Sequence, residues 1–228
     1  MAPDKMTQLA DGVAQSWLDT SDAVMRGLNH EFSNRLSLAR LTPQLTALLA
    51  AGEPGMQKAA AEADRSEDLL HLLQLYRLMV FASSEQPEAL LVSDNLASAI
   101  ELFRHHMTFR DLDVRVNADA TMPPVLLPSV ALTQALLLLL CAAARHVAMA
   151  PGDTGTLVVD FSATPDSVRI GVRVDGAAGG AAVTGDPPEF AALRYLVRDV
   201  SGVAEMTASG AALSIGTLVS LRQREKRG

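Results

Sequence analysis

A single cysteine, Cys141, leaves this chain no partner for an internal disulfide, and its place inside an apolar run marks it as a small core residue. A cytosolic setting, hence a cytoplasmic protein, fits that usage. Aromatic residues make up only 4% of the chain, so leucine, alanine and valine must supply the packing. That favours helices and helix-on-sheet layers. Basic runs are almost missing too. The net charge is −7, and the only dense cationic cluster is Arg222 to Arg227 at the C-terminus, which reads as a solvated tail. Nucleic acid is therefore excluded as an expected partner. Met1 to Asp22 is too polar for a signal peptide. The most apolar run, Ala135 to Ala144, lies between Gln134 and Arg145 and is too short to cross a bilayer, so no membrane is expected.

What is present is two textures. After a loose lead-in over residues 1 to 12, Val13, Trp17, Val24 and Leu28 recur at helical spacing, and the pattern runs to about Ala51. Pro43 inside it should kink the helix or end its regular part. Gly52-Glu53-Pro54-Gly55 is a stop and a turn. A second helix over Met56 to Ala82 carries Leu69, Leu72, Leu73, Tyr76, Met79 and Val80 as its apolar face. Two long helices joined by a short turn make an antiparallel hairpin, and two hairpins make a four-helix bundle. Ser83 to Pro87 is the boundary between a hairpin domain, 13–83, and a mixed domain, 88–222.

In the second domain, helices are expected at Val92 to His106, with Asp94 as cap, at Pro128 to Ala148 and at Pro188 to Ser201. Strands are expected at Leu112 to Val116, Gly155 to Ser162, Ser167 to Val174, Val203 to Thr207 and Ala212 to Leu221. Met122 to Val125 reads as a loop. The sum is an α+β fold with helices on one face of a mostly antiparallel sheet.

The chemistry concentrates in Leu28-Asn29-His30-Glu31-Phe32-Ser33-Asn34-Arg35-Leu36. Val24, Leu28, Phe32, Leu36 and Ala39 form one apolar stripe. At about 100° per residue, His30 points roughly opposite that stripe. Asn34 lies one turn on, with Ser37 beside it, and Glu31 follows directly. An imidazole is thus held outward with an amide one turn away. The plain alternative is an inert surface histidine beside a solvated Glu31–Arg35 helix pair.

These two halves resemble a bacterial sensor histidine kinase stripped of its sensor. The likeness runs over residues 15 to 222 in element order. His30-Glu31-x-x-Asn34 matches the family's phosphoacceptor pattern, although the proline common in the family would fall near Arg35 and is absent. The second half resembles the family's ATP-binding sandwich, with departures. Where the family's nucleotide helix carries metal-supporting asparagines, Gln134 to Ala143 places Leu138 and Ala142. Aliphatic groups offer no oxygen to Mg²⁺. The aspartate that reads adenine aligns with Asp175, but the glycine spacing at Gly176, Gly179 and Gly180 is wrong, and Thr184 to Ala191 leaves no lid.

The chain is thereby similar to histidine phosphotransferases built on degenerate kinases, such as the ChpT-type and sporulation phosphotransferases. That resemblance implies a dimeric four-helix bundle followed by a degenerate ATPase-like sandwich. It implies a phosphorelay enzyme that shuttles a phosphoryl group through His30 between receiver-domain aspartates of response regulators. No cofactor of its own is implied; the receiver brings Mg²⁺. Glu31 would orient the imidazole, and Asn34 would position a water against a receiver's phosphate. A receiver would dock around Ala23, Arg26, Gly27, Ser37, Leu38 and Leu41, with the small Ala23 and Gly27 admitting a partner helix. An ATP-dependent kinase with a divergent site, a receiver phosphatase and a non-catalytic dimeric scaffold are the alternatives.

Overall fold

The computed structural model describes residues 3–49, 55–80, 86–117, 122–146, 155–175, 185–198 and 202–218; side chains of the hairpin are described over 12–37 and 67–80. Helix α1 spans Pro3–Leu49 and α2 spans Gly55–Met79. The lead-in expected over residues 1 to 12 is therefore helical from Pro3 onward, and the helix continues through Pro43 to Leu49. Most of the expected Gly52–Gly55 turn lies outside the described residues, as do the 176–184 glycine stretch and the C-terminal basic tail.

The second half begins with β1 (Glu88–Leu90) and α3 (Val92–Arg104), followed by β2 (Asp113–Asn117) and β3 (Val125–Leu127). Helix α4 (Ser129–His146), strands β4 (Thr156–Ala163) and β5 (Ser167–Asp175), helix α5 (Pro188–Val197), and strands β6 (Val203–Thr207) and β7 (Gly210–Gly216) complete it. The fold is α+β. Five strands form one sheet in the order β2-β4-β5-β7-β6. Only β2 and β4 run parallel; the other pairs are antiparallel. Val125 begins a strand rather than closing a loop, because β1 pairs with β3 as a separate two-stranded ribbon. Such short strands leave too few residues for alternation to show. Nor does Asp94 cap α3. The N-cap position is Leu91, and Asp94 sits in the first turn, where its charge still favours the helix N-terminus.

The sheet presents alternate residues to its two faces. Val168, Ile170 and Val172 of β5, with Leu157 and Val159 of β4 and Leu213 and Ile215 of β7, are buried in the core. The opposite parity carries a polar ladder: Arg169 pairs with Glu205 at 2.9 Å, and Arg173 with Asp160 at 3.2 Å. Helix α4 lies at the centre of the core. From Leu132 to Ala144 every residue is buried, Cys141 among them, and burial pushes its thiol well above the ordinary value. Although α4 is apolar enough to cross a membrane by length and composition, it is packed inside the fold against α3, α5 and the sheet.

Three polar ties seat this domain. The Asn95 amide donates to the Ser129 carbonyl (3.1 Å) and reaches Thr133 Oγ1 (3.1 Å), fixing α3 on α4. Gln134 Nε2 donates to the Leu78 carbonyl at 2.9 Å, which satisfies an otherwise orphaned acceptor at the end of α2. His71 on α2 meets Glu101 on α3 at 2.5 Å. Helix α1 also packs on α5. The hairpin therefore rests directly on the α/β layer.

Candidate functional site

Along α1 the apolar stripe changes its surroundings. Val24 and Leu28 are buried, Phe32 is half-buried and Leu36 is 41% exposed. The stripe thus leaves the cover of the second half at the level of His30. The imidazole itself is exposed on the opposite side of the helix. Asn34 Nδ2 lies 3.2 Å from His30 Nδ1, across one helical turn. No other polar contact to this ring is recorded among the described residues.

Glu31 is engaged elsewhere. Its Oε1 accepts from Arg35 Nε at 2.8 Å, and Arg35 Nη1 also donates to Asp68 on α2. The hydrogen bond to Glu31, with the charge of Asp68 added, raises the guanidinium's pKa further above its usual value. One arginine therefore clasps both helices of the hairpin beside the histidine. Among the described residues, the side chain that meets the His30 ring is Asn34, while Glu31, expected to orient the ring, is hydrogen-bonded to Arg35. A helix places adjacent residues about 100° apart, so Glu31 meets its i+4 partner more readily than its neighbour.

The surrounding residues divide. Arg26 is exposed and pairs with Asp22 one turn back. Ser37 Oγ donates to the Ser33 carbonyl at 2.8 Å. Ala23 is half-buried. Gly27 is closed off by the chain itself: a Cβ there would stand 1.9 Å from the His105 carbonyl oxygen. The close approach that its missing side chain allows is made by the turn after α3. Leu38 and Leu41 continue the helix, and their side chains lie outside the described residues. His105 and the Arg35–Asp68 clasp escape sequence reasoning because Asp68 and His105 are far away in the chain. Burial draws the His105 ring below the ordinary histidine pKa, against the raising charges of Glu31 and Glu101.

In the second half, the positions that align with a nucleotide site fall on two different layers. Leu138 and Ala142 are sealed in the core, at 1% and 0% exposure. Asp175 ends β5 on the parity of Arg169 and Arg173, with Arg173 Nη1 3.9 Å away, and so stands on the polar face rather than toward the helices. No group of three or more potential metal-ligating side chains occurs among the described residues. Where the last turn of α4 meets the first turn of α5, Arg145 pairs with the buried Glu189 at 2.7 Å and lies over the Phe109 ring.

No family model matches the sequence, and no curated protein matches it. Solved structures do. The histidine kinase AdeS of Acinetobacter baumannii aligns at a TM-score of 0.45 and 14% identity, covering 85% of this chain and 97% of that one. The histidine kinase domain of the blue-light activated kinase EL346 of Erythrobacter litoralis aligns at 0.42 and 16%, covering 97% of each. A bacterial phosphotransferase aligns at 0.40 and 16%, covering 94% of this chain and 97% of that one. At these TM-scores the likenesses carry no argument for chemistry. The fold rests on the strand pairing and helix packing above.

Proposed function

We propose that this chain is a histidine phosphotransferase of a two-component phosphorelay. His30 takes a phosphoryl group from the aspartyl phosphate of one response-regulator receiver domain and passes it to the aspartate of another. The observation that supports this best is a contrast. A histidine is held outward on a clasped helix, while the helix positions that would serve a nucleotide are buried leucine and alanine. Phosphoryl transfer needs in-line positioning and charge neutralisation more than covalent help from the protein. The imidazole of His30 supplies the nucleophile through a ring lone pair. The divalent ion belongs to the receiver in this scheme.

A homodimer is part of the same proposal. Helix α2 and the residue after it, Val80, carry two apolar stripes. Leu72, Leu75 and Met79 are buried within the chain, whereas Leu70, Leu73, Tyr76 and Val80 are between 41% and 59% exposed. A second hairpin would cover the outer stripe and complete a four-helix bundle.

The test is transfer from labelled receivers. A panel of purified receiver domains is loaded with radioactive phosphate, and this protein is added as wild type and as His30→Gln. Acid-labile label on the wild type alone supports the proposal. Receiver phosphate lost with no label retained would make the protein a phosphatase. Receiver phosphate left intact by every pairing would leave a dimeric scaffold.

A further inference from the structure

The one polar contact to the His30 ring among the described residues, Asn34 at 3.2 Å from Nδ1, can be made in two ways. The amide NH₂ can donate to a bare Nδ1, which leaves the proton on Nε2. With the amide turned over, its oxygen accepts from Nδ1–H, which leaves the Nε2 lone pair free. Amide oxygen and nitrogen are interchangeable in shape, so the same geometry accommodates both. Chemistry does separate them. Only the second arrangement presents a nucleophile at the nitrogen away from the helix.

We propose that Asn34 is a positioning residue that holds His30 in the Nδ1–H tautomer and aims the Nε2 lone pair outward. This rests on the reading of His30 as the phosphoryl carrier. Three features support it. Asn34 stands one helical turn from the ring, so a rigid backbone sets the contact. Glu31, the acid that would otherwise serve the ring, is held by Arg35 at 2.8 Å, and Arg35 is anchored in turn on Asp68. Helix α1 is fixed at this level by the Gly27–His105 contact, so the ring's base does not shift when a partner arrives.

The assignment removes the need for a general base. In the forward step the Nε2 lone pair attacks phosphorus, the P–O bond to the receiver aspartate breaks, and the carboxylate leaves with that electron pair. The Nδ1 proton stays where it is. The ring becomes cationic beside the anionic phosphoryl group, and the Asn34 oxygen keeps its hydrogen bond to Nδ1–H. In the return step a second carboxylate attacks phosphorus, the N–P bond breaks, and neutral Nδ1–H histidine is regenerated. No proton crosses the site in either direction, so Glu31 is free to remain in its clasp.

The experiment reads the tautomer directly, on the full chain labelled with ¹⁵N at histidine, at alkaline pH, where an imidazole is neutral. Nitrogen shifts are recorded for wild type, Asn34→Ala and Asn34→Asp, and phosphoramidate serves as the phosphoryl donor, its own N–P bond breaking and ammonia leaving. The expected result is a protonated Nδ1 in wild type and in Asn34→Asp, and a protonated Nε2 in Asn34→Ala. Phosphorylation of Asn34→Ala at Nε2 should be slower by about fivefold, the worth of one such hydrogen bond. A protonated Nε2 in the wild type overturns the assignment, as does an Asn34→Ala variant with unchanged tautomer and rate. The two proposals fail separately. Label passing from receivers to a His30 protonated at Nε2 removes this inference and keeps the relay. A wild type protonated at Nδ1 that no receiver can label does the reverse.

Discussion

Helices α1 and α4 are both long and both rich in apolar residues, yet they are used in opposite ways. Helix α4 hides nearly all it carries: Leu136 to Ala144 are buried on every side. Helix α1 hides one stripe and displays the rest, with His30, Asn34 and Ser37 exposed. A helix that is apolar all round is committed to the core, and an amphipathic one keeps a face for chemistry. The proposed working surface therefore lies on the hairpin, and the α/β half supports it. The contacts at the seam agree. Gly27 on His105, His71 on Glu101 and Gln134 on the Leu78 carbonyl all fasten support to hairpin.

The sharpest way to break this contrast is to give α4 back a polar group. Leu138→Asn would remove a fully buried side chain and leave an amide without a partner, a loss of about 4 kcal/mol. Chemical denaturation should show that loss, and on the proposed function neither wild type nor the folded fraction of the variant should retain ATP on a filter. Nucleotide retention would show that the helix position, rather than the closed core around it, decides binding.

The next effect tests the support through pH. His106 is buried, stacked on Phe109 at 4.6 Å between centroids, and accepts from the Thr108 amide. Burial first, then the charge of Arg145, lowers its pKa to about 4. Below the unfolded value of about 6.5 the unfolded chain takes up a proton that the folded chain refuses. Stability is therefore full above pH 6.5 and declines as pH falls toward 4, by up to about 1.4 kcal/mol per unit and about 3 kcal/mol across the window. Unfolding midpoints measured from pH 7 to pH 4 should follow that slope in wild type, and His106→Gln should flatten it. Equal slopes would show that other groups govern the acid limb.

The smallest effect probes the seam. Alanine in place of glycine inside a helix ordinarily stabilises by about 1 kcal/mol. At Gly27 the added methyl meets a backbone oxygen at 1.9 Å, and backbone cannot rotate away. Overpacking of that kind costs about 1–3 kcal/mol, so Gly27→Ala should be destabilised on balance. Hydrogen exchange should quicken around residues 101–109. A variant more stable than wild type would mean that the hairpin does not close on His105.

Much of the fold was legible in the sequence for a simple reason. Helix and strand periods are local, so α3, α4, β4 and β5 follow from residues within one or two turns of each other. The short ribbon of β1 and β3 was not legible, because three-residue strands are defined by their partner and not by their own pattern. The site divides in the same way. The sequence by itself determined that His30 faces outward with Asn34 one turn away, since helical geometry fixes residues at i and i+4. It also determined that Leu138 and Ala142 offer no ligand oxygen. Only the tertiary structure decided which carboxylate serves what. Asp68 lies 33 residues from Arg35 and clasps it together with Glu31. His105 fills the space at Gly27 that was open to any close partner, and Asp175 falls on the outer face of the sheet because strand parity, not residue type, chooses the face. Contacts between distant segments depend on how elements pack, and packing is a property of the whole chain.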